Sequence, residues 1–118
     1  MDIQSSDFKE LVGENLSGVT FVQDYLQLQF NPPPILNVYT PVTVYYNDES
    51  VTFGDDKFAN LIIAQINKIV NHIRLKPDEA LEILFHDNSV ISISLLSSDY
   101  GGPEAINLFL RNGEMIVL

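Results

Sequence analysis

Apolar and polar residues alternate between positions 19 and 30 of this chain. A polar Gln23-Asp24 pair divides the stretch into two short segments. Alternation with a period of two is typical of a strand that has one buried and one exposed face, and a polar pair between two such segments is typical of a hairpin turn. The pattern therefore predicts strands over residues 19–22 and 25–30. The apolar positions are Val19, Phe21, Leu26, Leu28 and Phe30.

The same alternation recurs along the rest of the chain and predicts further hairpins. Asn112-Gly113 is the strongest turn signal, because this dipeptide accepts the positive φ angles of a tight hairpin. Pro32-Pro33-Pro34 cannot take part in strand pairing and separates two strands. The additional predicted strands are 35–39, 42–46, 51–53, 69–75, 80–85, 90–95, 106–110 and 114–118.

Residues 57–67 form the segment with the clearest helical spacing of apolar side chains. Asp55-Asp56 precedes it, where carboxylates suit the positive end of a helix dipole. A short helical turn is also expected near Ser5. The predicted fold class is α+β: one or two bent, largely antiparallel sheets of hairpins with one main helix (about 57–67) packed on them. With 118 residues, the sequence predicts a single domain.

Two stretches, about 16–46 and 69–96, follow the same order of strands and turns. Leu26-Gln27-Leu28-Gln29-Phe30 superposes on Leu81-Glu82-Ile83-Leu84-Phe85. An internal duplication of a β-hairpin unit would produce this likeness. Convergent patterning of alternating strands would produce it too, so both origins stay open.

Charge and composition narrow the classes of partner. Sixteen acidic against six basic residues give a formal net charge of −10, and the basic residues are scattered. Because nucleic-acid binding depends on clustered Lys and Arg, the sequence predicts no nucleic-acid partner and admits a basic protein partner. Cysteine is absent, which excludes disulfides and thiolate sites. Without a signal-peptide pattern or a long apolar run, we expect a cytoplasmic protein that does not contact a membrane.

Candidate catalytic chemistry is sparse. His86-Asp87 has the composition of an acid–base pair, but it opens a polar turn between two strands, where Asp and Asn are ordinary turn residues. Glu79, Glu82 and Asp87 are the carboxylates that a small enzyme would use. No nucleophile elbow, phosphate-binding loop or metal-ligand spacing accompanies them. We therefore assign no catalytic, cofactor-binding or metal-binding residue, and expect no cofactor.

Four tyrosines are the best candidates for a binding surface. Tyr39, Tyr45, Tyr46 and Tyr100 lie in or beside the predicted loops and strand edges. Tyrosine combines a large apolar ring with a polar tip, which suits interfaces. The alternative is that these rings complete the rim of the core.

The segment Gly18-Val19-Thr20-Phe21-Val22-Gln23-Asp24-Tyr25-Leu26-Gln27-Leu28-Gln29-Phe30 resembles small uncharacterised bacterial proteins with a G-V-x-F-x-x-D-Y-L-x-L-x-F segment. The helix near Leu61-Ile62 and the triplet Pro103-Glu104-Ala105 would be the later matching elements. The resemblance spans most of the chain and implies a cytoplasmic bacterial protein. In charge and size alone, the chain also resembles immunity proteins of the antitoxin type.

The sequence thus favours a non-catalytic binding or interaction module. One alternative is an immunity-type protein that inhibits a basic bacterial toxin, and another is a small enzyme that uses surface carboxylates. Residues 115–118 form an apolar strand at an expected sheet edge, which makes a homodimer a further candidate.

Overall fold

The computed structural model describes residues 3–118. A 3-10 helix, Ser5–Leu11, comes first, and a second short one, Ser97–Asp99, lies between the eighth and ninth strands. The α-helix α1 spans Phe58–Ile63. The strands are β1 (Gly18–Val22), β2 (Tyr25–Gln29), β3 (Ile35–Val38), β4 (Val42–Tyr46), β5 (Glu49–Thr52), β6 (Val70–Lys76), β7 (Ala80–Phe85), β8 (Val90–Ser94), β9 (Ile106–Phe109) and β10 (Met115–Val117).

These strands form two antiparallel five-stranded sheets. The first sheet has the order β1-β2-β3-β9-β10, and the second has the order β5-β4-β8-β7-β6. Two antiparallel sheets with one α-helix confirm the predicted α+β class. The predicted hairpins across Gln23-Asp24 and Asn112-Gly113 are also confirmed, because β1 pairs with β2 and β9 pairs with β10.

Alternation of side chains explains how the two sheets make one core. In β2, Leu26 and Leu28 are buried while Gln27 and Gln29 stay half-buried on the opposite face. In β7, Leu81 and Ile83 are buried in the same way. The buried side chains of both sheets belong to a single hydrophobic cluster. Each fully buried aliphatic side chain stabilises the fold by about 1.5–3 kcal/mol relative to exposure.

The helix differs from its prediction, because α1 ends at Ile63 and not at residue 67. The Ala64 N–H donates to the Asn60 carbonyl, and the Gln65 N–H donates to the Ile62 carbonyl only three residues back, which tightens the last turn. Asn67 then has a φ of 77°, a left-handed conformation that ends helical propagation. The Asp55-Asp56 pair does not cap the helix: Lys57 is the N-cap residue, and Asp55 Oδ2 accepts a hydrogen bond from Thr52 N.

The two halves of the chain repeat one strand layout. In the first half, the meander β1-β2-β3 lies in one sheet and the following hairpin β4-β5 lies in the other. In the second half, the meander β6-β7-β8 lies in the second sheet and the following hairpin β9-β10 lies in the first. The register agrees as well: Leu26 pairs with Val38, and 55 positions later Leu81 pairs with Ile93. A duplication as the origin of this repeat stays a prediction.

The halves differ most in the link between meander and hairpin. In the first half, Val42 follows Val38 by four positions. In the second half, the equivalent residues are Ile93 and Ile106, which are thirteen positions apart, so the second link is nine residues longer. That longer link contains Gly101, Gly102 and Pro103. Within residues 3–118, no helix is both long and apolar enough to cross a membrane.

Candidate functional site

The structure places the four candidate tyrosines in three separate depressions of the surface. Tyr45 and Tyr46 line a groove of about 590 Å³ beside the β4–β5 and β7–β8 turns. Tyr39 lies in a groove at the β1–β2 turn. Tyr100 lines a pocket of about 420 Å³, which we call the Tyr100 pocket. Its lining residues are Ile3, Leu75, Pro77, Asp78, Leu95, Tyr100 and Leu118.

The groove at Tyr45 and Tyr46 adjoins an ion pair. Lys68 Nζ lies 2.8 Å from Asp87 Oδ2, donates to Gln65 Oε1 at 2.9 Å and sits 4.0 Å from the Tyr46 ring centroid. Burial alone would raise the pKa of Asp87, but hydrogen bonds from Lys68 and Ser89, together with the Lys68 charge, lower it to about 2. Asp87 is therefore ionised at neutral pH and forms a salt bridge with Lys68.

The Ser89 hydroxyl beside this ion pair does not have the geometry of a nucleophile. Its Oγ donates to Asp87 Oδ1 at 2.5 Å, and the residue is only 2% exposed. A serine nucleophile has to reach a substrate and pass its proton to a base. The arrangement instead fastens the β7–β8 turn to Lys68, in the segment between α1 and β6.

The carboxylates considered for an enzyme do not meet in one site. Glu82 lies on the outer face of the second sheet, 3.5 Å from both Arg74 Nη1 and Lys76 Nζ. Glu79 is exposed in the β6–β7 turn, and Asp87 lies in the β7–β8 turn. Among residues 3–118, no group of three or more His, Cys, Asp or Glu side chains is arranged to hold a metal ion.

The depression around Tyr39 combines aromatic rings with carboxylates. It consists of two adjoining grooves, of about 500 and 200 Å³, which share Asp24 and Tyr39. We call the pair the Tyr39 groove. Its principal lining residues are Asp24, Tyr25, Tyr39, Phe53, Gly101, Gly102, Pro103 and Glu104.

Four separate segments bring these side chains together. The β1–β2 turn supplies Asp24, and Tyr25 follows as the first residue of β2. The end of β3 leads directly into Tyr39, and Phe53 follows β5. Because β2 and β3 are paired neighbours, the rings of Tyr25 and Tyr39 lie 5.3 Å apart, tilted by 47°. The long link before β9 closes the groove from the other side, and Tyr39 N donates to Ala105 O at 2.8 Å.

A chain of hydrogen bonds fixes the polar groups of the Tyr39 groove. Tyr39 Oη donates to Asn107 Oδ1 at 2.9 Å, and Asn107 Nδ2 donates to Glu104 Oε2 at 2.5 Å. Burial, followed by the charge of Glu104 and by Tyr25, raises the pKa of Tyr39 above its ordinary value. Tyr39 thus stays a neutral donor at physiological pH, and Glu104 is oriented through Asn107.

This arrangement suits a cationic group. The faces of aromatic rings carry negative potential, so an ammonium or guanidinium group above Tyr25, Tyr39 or Phe53 is attracted. Asp24 is exposed and Glu104 is half-buried, so both can pair with such a cation at the rim. The groove thus offers rings and carboxylates without a nucleophile.

Sequence reasoning selected Tyr39 but missed most of its neighbours. The alternating pattern predicts a turn at Asp24, the start of a strand at Tyr25 and the end of a strand at Phe53. Glu104 and Asn107 carried no assigned role. One signal was present: the bacterial resemblance contains both the Asp24-Tyr25 dipeptide and the Pro103-Glu104-Ala105 triplet. In the structure these two segments line the same groove.

Comparison of the chain with protein-family models, with curated proteins and with solved structures finds no match. The class of protein is therefore defined by the charge, the fold and the groove alone: an acidic α+β protein with an aromatic groove that carboxylates flank.

Proposed function

We propose that this chain is a non-catalytic binding module and that its Tyr39 groove binds a basic segment of a partner protein. The observation that carries the proposal is the meeting of the Tyr25–Tyr39 ring pair with Asp24 and Glu104 in one open groove. Rings and carboxylates together favour arginine or lysine over neutral or acidic side chains.

The charge of the whole chain supports the same class of partner. A formal charge of −10 gives a negative potential that attracts basic proteins from a distance and accelerates their encounter. The rings then supply short-range selectivity that charge alone does not. Arginine is expected to bind more tightly than lysine, because its planar guanidinium group stacks on aromatic faces.

A hexa-arginine peptide is a suitable probe, titrated into the chain by calorimetry at low salt. Tyr25→Leu removes a ring from the groove, and Glu104→Gln removes a charge while keeping the side-chain shape. Each should weaken binding about fivefold or more, which corresponds to the loss of one cation–π or ion-pair contact. Hexa-lysine should bind the native chain more weakly than hexa-arginine.

Matched controls lie at the groove beside Tyr45, on the opposite sheet. Tyr45→Leu removes an exposed tyrosine there, and Glu49→Gln removes one charge. Both should change the affinity less than about twofold, because the net charge changes as in the test variants while the Tyr39 groove is intact. Equal weakening by all four variants would show that the peptide recognises total charge, and the assigned groove would be wrong.

An immunity-type inhibitor is the second candidate, favoured by the high negative charge in a small chain. In that case the basic partner is a bacterial toxin, and the acidic surface covers its active site. Finding a cationic nuclease encoded beside the gene of this chain would favour this candidate, and that nuclease would be the test protein. Inhibition should weaken steeply with added salt, and absent or salt-insensitive binding would rule this candidate out.

A further inference from the structure

Strand β10 leaves hydrogen-bonding groups unused at the edge of the first sheet. Leu110 N donates to Glu114 O at 2.9 Å, and Leu118 N donates to Ile106 O at 3.2 Å. In an antiparallel pair, hydrogen-bonded and non-bonded positions alternate along each strand. Glu114, Ile116 and Leu118 therefore direct their backbone groups toward β9, and the two positions between them direct theirs away from it. The N–H and C=O groups of Met115 and Val117 therefore face outward from β9.

The side chains beside this edge are apolar and exposed. Met115 and Val117 stand on the outer face of the sheet, and Phe109 lies directly opposite Met115 in the pairing of β9 with β10. Ile35 continues the same row on β3. An unpaired strand next to exposed apolar side chains is a ready template for another strand.

Two of the other three sheet edges of residues 3–118 carry protection. Residues 13–16 cover the start of β6, where Gly13 N donates to Val70 O at 2.8 Å, and near its other end Leu75 N donates to Ser5 Oγ at 2.9 Å. Acidic residues surround β5, including Glu49 itself. Strand β1 contacts α1 through the Phe21 and Phe58 rings, whose centroids lie 6.4 Å apart, but its Phe21 and Val22 side chains are exposed, so β1 is the edge to compare with β10. Covering and charging an edge are the usual ways of preventing strand addition.

We propose that two copies of this chain pair through β10 in an antiparallel, two-fold symmetric manner. The unused backbone groups lie at Met115 and Val117 only, so one register satisfies all of them. In it, Met115 of each copy faces Val117 of the other, and the symmetry axis passes through Ile116. A two-fold interface requires this self-complementarity of the contacting segment.

The side chains agree with this register. Facing residues of an antiparallel pair lie on the same side of the sheet, so the exposed Met115 and Val117 of both copies would form one apolar patch together with Phe109. The strand itself carries no charge, and Glu114 faces Leu118 rather than another Glu114. Two chains of charge −10 repel at long range, however, so added salt should strengthen the dimer.

Sedimentation equilibrium of the whole chain over a range of concentrations tests the proposal. We expect a mass approaching twice 13.3 kDa at high micromolar concentration, and a larger dimer fraction at higher salt. Val117→Lys should weaken the dimer by about tenfold or more, because an edge lysine blocks strand pairing. Val22→Lys is the matched control, since Val22 is 39% exposed on β1 and Val117 is 38% exposed.

A cross-link tests the register independently of stability. The chain has no cysteine, so Ile116→Cys introduces a single thiol at the proposed axis. The two Cα atoms would lie about 4.5 Å apart, within the range of a disulfide. Mild oxidation should join Ile116→Cys chains into a covalent dimer faster than Val22→Cys chains.

A chain that stays monomeric at high micromolar concentration and high salt overturns the proposal. So does a dimer that Val22→Lys disrupts and Val117→Lys leaves intact. If Val117→Lys does not fold, which circular dichroism would reveal, Ile116→Cys decides between the outcomes. Peptide binding at the Tyr39 groove is a separate measurement that weakens with salt, so failure of one proposal does not imply failure of the other.

Discussion

The Tyr39 groove and the Tyr100 pocket occupy equivalent corners of the two repeated halves, and their chemistry differs. Each lies where the first turn of a meander meets the end of its third strand. At the Tyr39 groove, Tyr25 and Asp24 stand where the other half has Ala80 and Glu79, 55 positions later. The Tyr100 pocket is lined mainly by Leu75, Leu95 and other apolar side chains. One backbone layout therefore supports an aromatic, acidic groove in one half and an apolar pocket in the other.

The long link of the second half accounts for part of this difference. Its nine additional residues include Gly101, Gly102 and Pro103, which reach across to the first half and close the Tyr39 groove. The short link of the first half has no such reach. The candidate site thus depends on the long link, which is present in only one of the two halves that share the strand layout.

The largest effects should come from the positions where the halves are most alike. Leu28 and Ile83 occupy equivalent, fully buried positions, 55 residues apart. Leu28→Ala and Ile83→Ala should each lower the free energy of unfolding by about 2–5 kcal/mol, because both leave a cavity in the shared core. Urea denaturation measures both values.

Thr20→Ala, on the exposed face of β1, is the control and should change stability by no more than about 0.5 kcal/mol. A small effect at only one of the two core positions would mean that the halves do not contribute equally to one core.

Tyr39→Phe should have a smaller effect that is confined to the groove. The variant keeps the ring but removes the hydrogen bond from Tyr39 Oη to Asn107 Oδ1, which should cost about 0.5–1.5 kcal/mol of unfolding free energy. Tyr45→Phe changes an exposed ring in the same way and serves as the control. Equal stability of the two variants would show that the Tyr39–Asn107 bond does not order the groove.

A third contrast concerns the second turn of each meander. In the first half, Asn31 of this turn donates to Asn15 Oδ1 at 2.7 Å, whereas in the second half Asp87 forms the ion pair with Lys68. The folded-state pKa of Asp87 is about 2 against 3.8 for the unperturbed group. Because this pKa is depressed, the contribution is fully present above the unfolded value and is lost as the pH falls from about 4 to about 2.

The Asp87 side chain is 43% exposed, so solvent screening reduces its contribution to about 1 kcal/mol. Asp87→Asn should therefore be less stable than the native chain by about this amount at pH 7. The gap should close as the pH falls toward 2. Urea denaturation of both chains at several pH values measures it, and a constant gap would mean that the ion pair does not act through the Asp87 charge.

Local patterns in the sequence predict most of the strands, but they do not predict how strands that are distant in sequence pair to form the two sheets. Strand β7 has the predicted bounds at Ala80 and Phe85, because each of its residues alternates clearly between core and surface. The exchange of hairpins between sheets was not predicted, since the pairing of β3 with β9 joins residues about 70 positions apart, such as Val38 and Ile106. The Tyr39 groove escaped prediction for the same reason: no periodicity links Asp24 with Glu104.

The finest distinction between the two corners lies in a single carboxylate in each. Asp24 and Glu79 are equivalent, exposed acids at the first turn of each meander, so Asp24→Asn and Glu79→Gln remove the same charge from matched places. Neither should change stability by more than about 0.5 kcal/mol, since both side chains are exposed. In hexa-arginine titrations, Asp24→Asn should weaken binding about threefold and Glu79→Gln should leave it nearly unchanged, because only Asp24 stands beside the tyrosine rings. Equal affinities for the two variants would mean that the rings, and not the acid beside them, distinguish these corners.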